Sequence, residues 1–218
     1  TRDLAQLQAI AARGDAAAQY ELAARYADQS RDYKNAAHWF EKSAAKGLAP
    51  AQYRLGVLYE RGLGVARDPA TARSWYQRAA DRGNARAMHN LAVLLADGGG
   101  ARPDYSEAAI WFRRAAEHGV KDSQFNLAIL YARGMGVPQD LVASYGWFAA
   151  AADHGDADAG KKRDEVAGRL DSKALARARE IAASFKPAPL EPAANEVVNP
   201  APEPPKDVRP TRPKVSRL

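Results

Sequence analysis

Residues 47–82 read GLAPAQYRLGVLYERGLGVARDPATARSWYQRAADR, and this stretch decides the fold because the chain repeats it. Residues 83–118, GNARAMHNLAVLLADGGGARPDYSEAAIWFRRAAEH, and 119–154, GVKDSQFNLAILYARGMGVPQDLVASYGWFAAAADH, keep the same columns. Residues 14–46 form a first copy that is shorter by three residues in its central loop. The four tryptophans, Trp39, Trp75, Trp111 and Trp147, mark the register, each 36 residues from the last. A period of roughly 20 to 50 residues is the mark of stacked repeats, in which each unit buries its apolar face only against its neighbours.

Inside a block the apolar spacing is helical. Leu55 and Tyr59, like Leu127 and Tyr131, stand four apart on one face, with Gly56 or Ala128 following the Leu where a second helix can approach. A loop with two glycines follows (Gly62 and Gly64, Gly98 and Gly100, Gly134 and Gly136), suited to a tight turn between helices. Asp32, Asp68, Asp104 and Asp140 then stand where an N-cap is needed, and Pro69 suits a first helical position. The second helix ends at Lys46, Arg82, His118 or His154 before a glycine, where a cation complements the helix dipole and the glycine caps. The Trp column and its neighbours Phe40, Tyr76, Phe112 and Phe148 are expected to supply bulk between units, Trp75 lying with Ala72, Ala79 and Ala80 on the buried side.

The block resembles the Sel1-like repeat, a relative of the tetratricopeptide repeat, through Ala51 to Ala80, which follows AQYxLGxLYxxGxGVxxDxxxAxxWYxxAA. The resemblance implies an all-α solenoid: a right-handed superhelix of antiparallel helix pairs, first helices inside and second helices outside. Domains follow from it. Residues 1–185 make the solenoid, with repeats at 14–46, 47–82, 83–118 and 119–154. Residues 3–13 read as an N-terminal capping helix and 155–185 as a degenerate cap, in which Lys161 and Arg163 replace the apolar column and Ser172 to Phe185 forms a last helix. Residues 186–218 hold nine of the thirteen prolines and are expected to be extended or disordered. Phe185, Leu190, Val197 and Val198 let this tail lie back on the repeats or in the groove as an internal ligand; a free linker is the alternative.

Composition agrees with closely packed helices: 49 of the 218 residues are alanine, the best helix former and the smallest apolar side chain. There is no cysteine, so no disulfide framework, Cys zinc site or thiol nucleophile is available. Some Sel1-like proteins are associated with β-lactam hydrolysis or penicillin binding, but those are cysteine-rich, and that property does not carry over. No run of about 18 apolar residues exists, so no membrane span is expected within these residues, and one is expected upstream of Thr1. The charge of +6 is dispersed, with aromatics in core columns, so no nucleic-acid partner is expected.

No catalytic, cofactor or metal site is expected. His38, His89, His118 and His154 have no metal-ligand spacing, no Ser sits in a nucleophile elbow, and the Gly-rich loops follow helices instead of strands. A groove reaction would need an acid or base pair, and candidates such as Asp97 and Asp122 have no evident partner. Alignment with tetratricopeptide arrays places Arg54, Asn90 and Asn126 in one groove-facing column, with Arg86 one turn before Asn90. Arg54, Arg86, Asn90 and Asn126 are therefore expected to form a donor-rich patch for a carboxylate, beside the aromatic column Tyr53, His89 and Phe125. Asn at this position also serves helix-to-helix hydrogen bonding without a ligand.

The run from Gly119 to Pro200 resembles the end of alphaproteobacterial Sel1-repeat proteins of the PodJ type, polar localisation factors with a cytoplasmic coiled coil, one membrane span and a periplasmic repeat region. The implied function is a non-catalytic periplasmic scaffold at the cell pole, binding a protein or peptide in its concave groove, near peptidoglycan or envelope proteins. A peptidoglycan-binding or cell-wall-modifying envelope protein and a cytoplasmic signalling adaptor are the alternatives. The basic ending KDVRPTRPKVSRL, residues 206–218, departs from that family's pattern.

Overall fold

The computed structural model describes residues 2–197, and these form helices with no strand among them. A lone helix α1 (Leu4–Ala12) is followed by four antiparallel pairs: α2 (Ala16–Asp28) with α3 (Tyr33–Ala45), α4 (Ala49–Arg61) with α5 (Pro69–Asp81), α6 (Ala85–Asp97) with α7 (Tyr105–Glu117), and α8 (Lys121–Arg133) with α9 (Leu141–Asp153). Then come α10 (Ala157–Ala167), α11 (Ser172–Ser184), which lies on α9, and one turn of helix, α12 (Pro192–Asn195). Each helix of the array packs on the next, the contact pattern of a Sel1 or tetratricopeptide-like solenoid. No described helix is long and apolar enough to cross a membrane. The basic segment 206–218 and Val198 lie outside the described residues.

Helix starts are fixed where the acids stand. Asp32, Asp68, Asp104 and Asp140 accept hydrogen bonds from the backbone N–H of Asn35, Thr71, Glu107 and Ala143 at 2.9–3.2 Å, satisfying donors that the first turn leaves open. Gly64 shows why the loops need glycine: at φ 71° its Cβ position falls 2.1 Å from the carbonyl oxygen of Tyr33, on the preceding second helix.

The units are tied by a recurring buried carboxamide. Gln19, Gln52 and Gln124 each donate to the last-turn carbonyl of the preceding second helix or cap (Ala11, Ala44 and Ala116) at 3.0–3.2 Å. Helix contact inside a unit rests on small residues, since a Cβ at Gly56 would lie 2.6 Å from the Tyr76 ring. The core is accordingly a series of clusters strung along the stack.

The tryptophan expectation holds in part: all four rings belong to or pack against the core clusters, but most of the buried bulk comes from their neighbours. The fully buried aromatics are the neighbours Phe40, Tyr76, Phe112 and Phe148, at most 2% exposed, whereas Trp39, Trp75 and Trp147 are half-buried and only Trp111 is buried. In a helix the buried stripe through Ala72, Tyr76, Ala79 and Ala80 follows the i, i+4, i+7, i+8 positions, which leaves Trp75 at its edge. Lys42, Arg78 and Arg114, one turn on, lie over the rings of Trp39, Trp75 and Trp111 at 4.6–4.8 Å. The fourth repeat has Ala150 at that position, and Phe185 instead packs edge-on against Trp147 at 5.2 Å.

Candidate functional site

The first-helix aromatics form a row, each turned onto the second helix of its own unit. Tyr20 meets Phe40, Tyr53 meets Tyr76, His89 meets Phe112 and Phe125 meets Phe148, with ring centroids 5.4–6.1 Å apart. The outer edges of Tyr20 and Tyr53 line one cleft of the inner face, and those of His89 and Phe125 line a second recess. Burial holds the His89 imidazole below its ordinary range despite the opposing charge of Asp122, and its Nδ1 is 2.7 Å from the Ser123 hydroxyl. His89 is therefore a neutral, hydrogen-bonded link between α6 and α8.

The expected donor patch is divided. Arg54 pairs with Asp28 at 2.6 Å and lies over the Phe40 ring. Asn90 donates to the Tyr76 hydroxyl at 3.2 Å, and Tyr76 donates in turn to Glu60 at 2.5 Å. Burial and the Glu60 carboxylate raise the Tyr76 pKa, so this phenol stays protonated and Asn90 serves helix-to-helix bonding. Asn126 stands apart, in a recess with Asp122, Asp156 and Asp158, surroundings that repel a carboxylate. Arg86 alone remains exposed on the inner face without an ion pair among the described residues. Asp97 ends α6, exposed, while Asp122 lies in the first turn of α8.

The feature that the sequence located only loosely is the tail. Residues 186–197 run as a strap from α11 back along the turns that join successive repeats. Pro187 lies on Gly119, the Ala188 N–H donates to the Glu117 carbonyl at 2.8 Å, and the His118 Nδ1 lies 3.3 Å from the Ala188 carbonyl. One repeat further, Ala194 is 4% exposed and its Cβ lies against Gly83. Here two asparagines clasp each other's backbone. Asn84 Nδ2 donates to the Ala194 carbonyl at 2.7 Å, while Asn195 accepts from the Ala85 N–H at 2.9 Å and donates to the Gly83 carbonyl at 3.0 Å. Asn195 thereby supplies a cap for an open N–H at the start of α6, which Asn84 caps from its other side at Ala87. Beyond the clasp, Glu196 and Leu190 form a wall of the first cleft, about 490 Å³, opposite Tyr20, Tyr53, Arg54 and Arg86.

The strap lies where two columns change residue. At the first two turns a long cation from the next repeat covers the glycine: Lys46 reaches Gly14, hydrogen-bonding its carbonyl, and Arg82 reaches Gly47. At Gly83 and Gly119 the corresponding residues are His118 and His154, which are shorter; His154 bonds back to the Ala150 carbonyl at 2.8 Å. The strap takes the vacated positions. In the first-helix N-cap column Asp15, Leu48, Val120 and Asp156 cannot donate to a strap carbonyl, whereas Asn84 can.

The Sel1 repeat family model matches residues 16–48, 49–84, 85–120 and 121–156, well over half of the chain. The chain belongs to the Sel1 repeat family. Among solved structures, a protective antigen present in uropathogenic Escherichia coli strains that displays an SLR fold is 32% identical, with a TM-score of 0.75 over 84% of this chain and 40% of that one. A Sel1 repeat protein from Oxalobacter formigenes is 30% identical, with a TM-score of 0.65 over 79% of this chain and 74% of that one. The chain thus spans about two fifths of the length of the antigen it matches. No curated protein matches it. Sel1 repeat proteins generally mediate protein–protein interaction and are typically non-catalytic, and the inner face described above belongs to such a repeat array.

Proposed function

We propose that this Sel1 repeat chain is a non-catalytic scaffold of the bacterial periplasm that helps organise the cell pole by holding an extended segment of an envelope protein on its inner face. The observation that carries the binding half of this reading is the strap: the repeats already hold a peptide segment through backbone and carboxamide hydrogen bonds. Recognition of this kind needs a rigid array that presents backbone groups at its turns, as the Glu117 carbonyl at the end of α7 and the Gly83 carbonyl and Ala85 N–H at the start of α6 do for the strap. The polar and periplasmic half rests on the likeness of Gly119 to Pro200 to PodJ-type proteins.

Two measurements test it. An alkaline phosphatase fusion to the native protein is expected to be active, and a fluorescent fusion to collect at one pole; phosphatase inactivity would move the protein to the cytoplasm and make the adaptor reading the better one. Crosslinking in the envelope fraction is expected to join the inner face to a protein, with a several-fold loss in Arg86→Glu. Recovery of peptidoglycan fragments alone would favour the cell-wall alternative.

A further inference from the structure

We propose that the strap seat is a peptide-binding site in its own right, with the strap as its built-in competitor. Its ligand in trans is a proline-bearing segment that presents a helical turn of small residues ending in Asn and followed by an acid. The inference rests on the scaffold reading and adds to it the chemistry of the partner and a gate.

The seat is selective at three points. The turn at Gly83 leaves room for a methyl group and little more: Ala194 is buried there, and the neighbouring turns at Gly47 and Gly14 are closed by Arg82 and Lys46. The next ligand residue must both accept from the Ala85 N–H and donate to the Gly83 carbonyl, which a carboxamide does and a carboxylate or hydrocarbon does not. Asn84 must meet a free carbonyl one residue earlier, as it meets that of Ala194. The residue after Asn then enters the cleft of Tyr20, Tyr53, Arg54 and Arg86, where Arg54 is already paired with Asp28 and Arg86 remains for an acidic side chain. In the strap that residue is Glu196.

The same features make the strap replaceable. Between Lys186 and Val197 it buries one methyl group, and Leu190 is 45% exposed. It holds the seat mainly because it is tethered, at an effective concentration of the order of millimolar for a short linker. A partner segment that adds a side chain in the cleft, or is itself multivalent, overcomes that advantage and frees the strap. The strap therefore suppresses weak, nonspecific peptides while yielding to a matched one.

The probe is a fluorescein-labelled peptide of residues 186–197, KPAPLEPAANEV, titrated against the full chain by anisotropy. Ala194→Arg in the chain cannot be seated beside Gly83 and ejects the strap; Asn195→Ala weakens it without added bulk, and circular dichroism verifies the fold of both. The expected result is binding to either variant at least tenfold tighter than to the native chain. That gain is lost when the peptide carries Ala at the Asn195 position or when Asn84→Ala is added to the chain. Equal binding to native and variant chains would overturn the gate. A natively helical Ala194→Arg chain that ignores the peptide would overturn the site. If crosslinking still joins the inner face to an envelope protein in that case, the scaffold reading stands and only this inference falls; peptide binding as expected without envelope crosslinks removes the periplasmic partner and leaves the site.

Discussion

At the scale of single residues, the consequences follow from burial. The imidazolium form of His89 is penalised in the fold, so its folded pKa lies below the unfolded value near 6.5. Its contribution is fully present above that value and is lost as pH falls below it, because the unfolded chain then binds the proton more readily. Replacing His89 by Phe, the residue of the same column at Phe125, is expected to flatten the fall of the melting temperature as the pH drops below about 6.5; an unchanged slope would place the acid sensitivity elsewhere. Asp32 and Asp68 act at lower pH: hydrogen bonds from Asn35 and Thr71 hold both below the usual carboxylate range, so the caps are lost only as pH falls through those depressed values. Gly56 carries a second prediction. A methyl group there meets the Tyr76 ring at 2.6 Å, and Tyr76 is fixed by Glu60 and Asn90. Gly56→Ala should therefore cost about 1–3 kcal/mol in urea unfolding despite its better helix propensity.

At the scale of helices, the sequence declared most of the structure. Period, caps and Gly loops placed eight helices, because N-capping and the small-residue contact at Gly56 are local requirements written in single columns. The Trp column marks the unit boundaries, but size alone does not rank burial: the stripe geometry buries the following aromatic more fully. The i+3 cations Lys42, Arg78 and Arg114, which cover Trp39, Trp75 and Trp111 alike, were the readable sign of a polar neighbour over those rings. For Asn90 the sequence offered two readings, a ligand donor and a helix-to-helix bond; Tyr76 of the preceding unit supplies a partner for the second, and only the stacked structure brings the two together. That the tail could lie back on the repeats was legible, but not the residues that hold it: Leu190 stays 45% exposed while Ala194 and Asn195 make the contacts. The path depended on what other columns omit, namely a long cation at His118 and an acid at Asn84. This gives an element-scale prediction. His118→Arg restores the long cation that covers the turn at Gly47 and Gly14, and its guanidinium competes with Ala194 for Gly83. Hydrogen exchange at the Ala188 and Ala85 amides is expected to quicken at least tenfold, with the amides of α2 unchanged; unaltered protection would mean that the column does not decide the strap's path.

At the scale of the whole molecule, a stack of repeats is quasi-one-dimensional, and its ends unfold more easily than its middle. The C-terminal cap is the weaker end, since α10 buries only Ala159 and Val166 and α11 only Ala178. The strap alters this by joining the end of α11 to the turns at Gly119 and Gly83, so that fraying of α11 must also release Ala188 and the asparagine clasp. Each hydrogen bond is worth about 0.5–1.5 kcal/mol net, and the five that cross between strap and repeats couple the cap to the third unit by a few kcal/mol. Asn84→Ala removes one strap bond and the α6 cap at Ala87, while Asn195→Ala removes two strap bonds, one of them the cover of the Ala85 N–H, and leaves the Asn84 cap in place. In Asn195→Ala, hydrogen exchange across α10 and α11 should accelerate about 10- to 100-fold while α2 and α3 keep their native protection. A uniform change along all repeats would show that the array unfolds as one unit, and no change in α11 would show that the strap rests on the stack without bracing it.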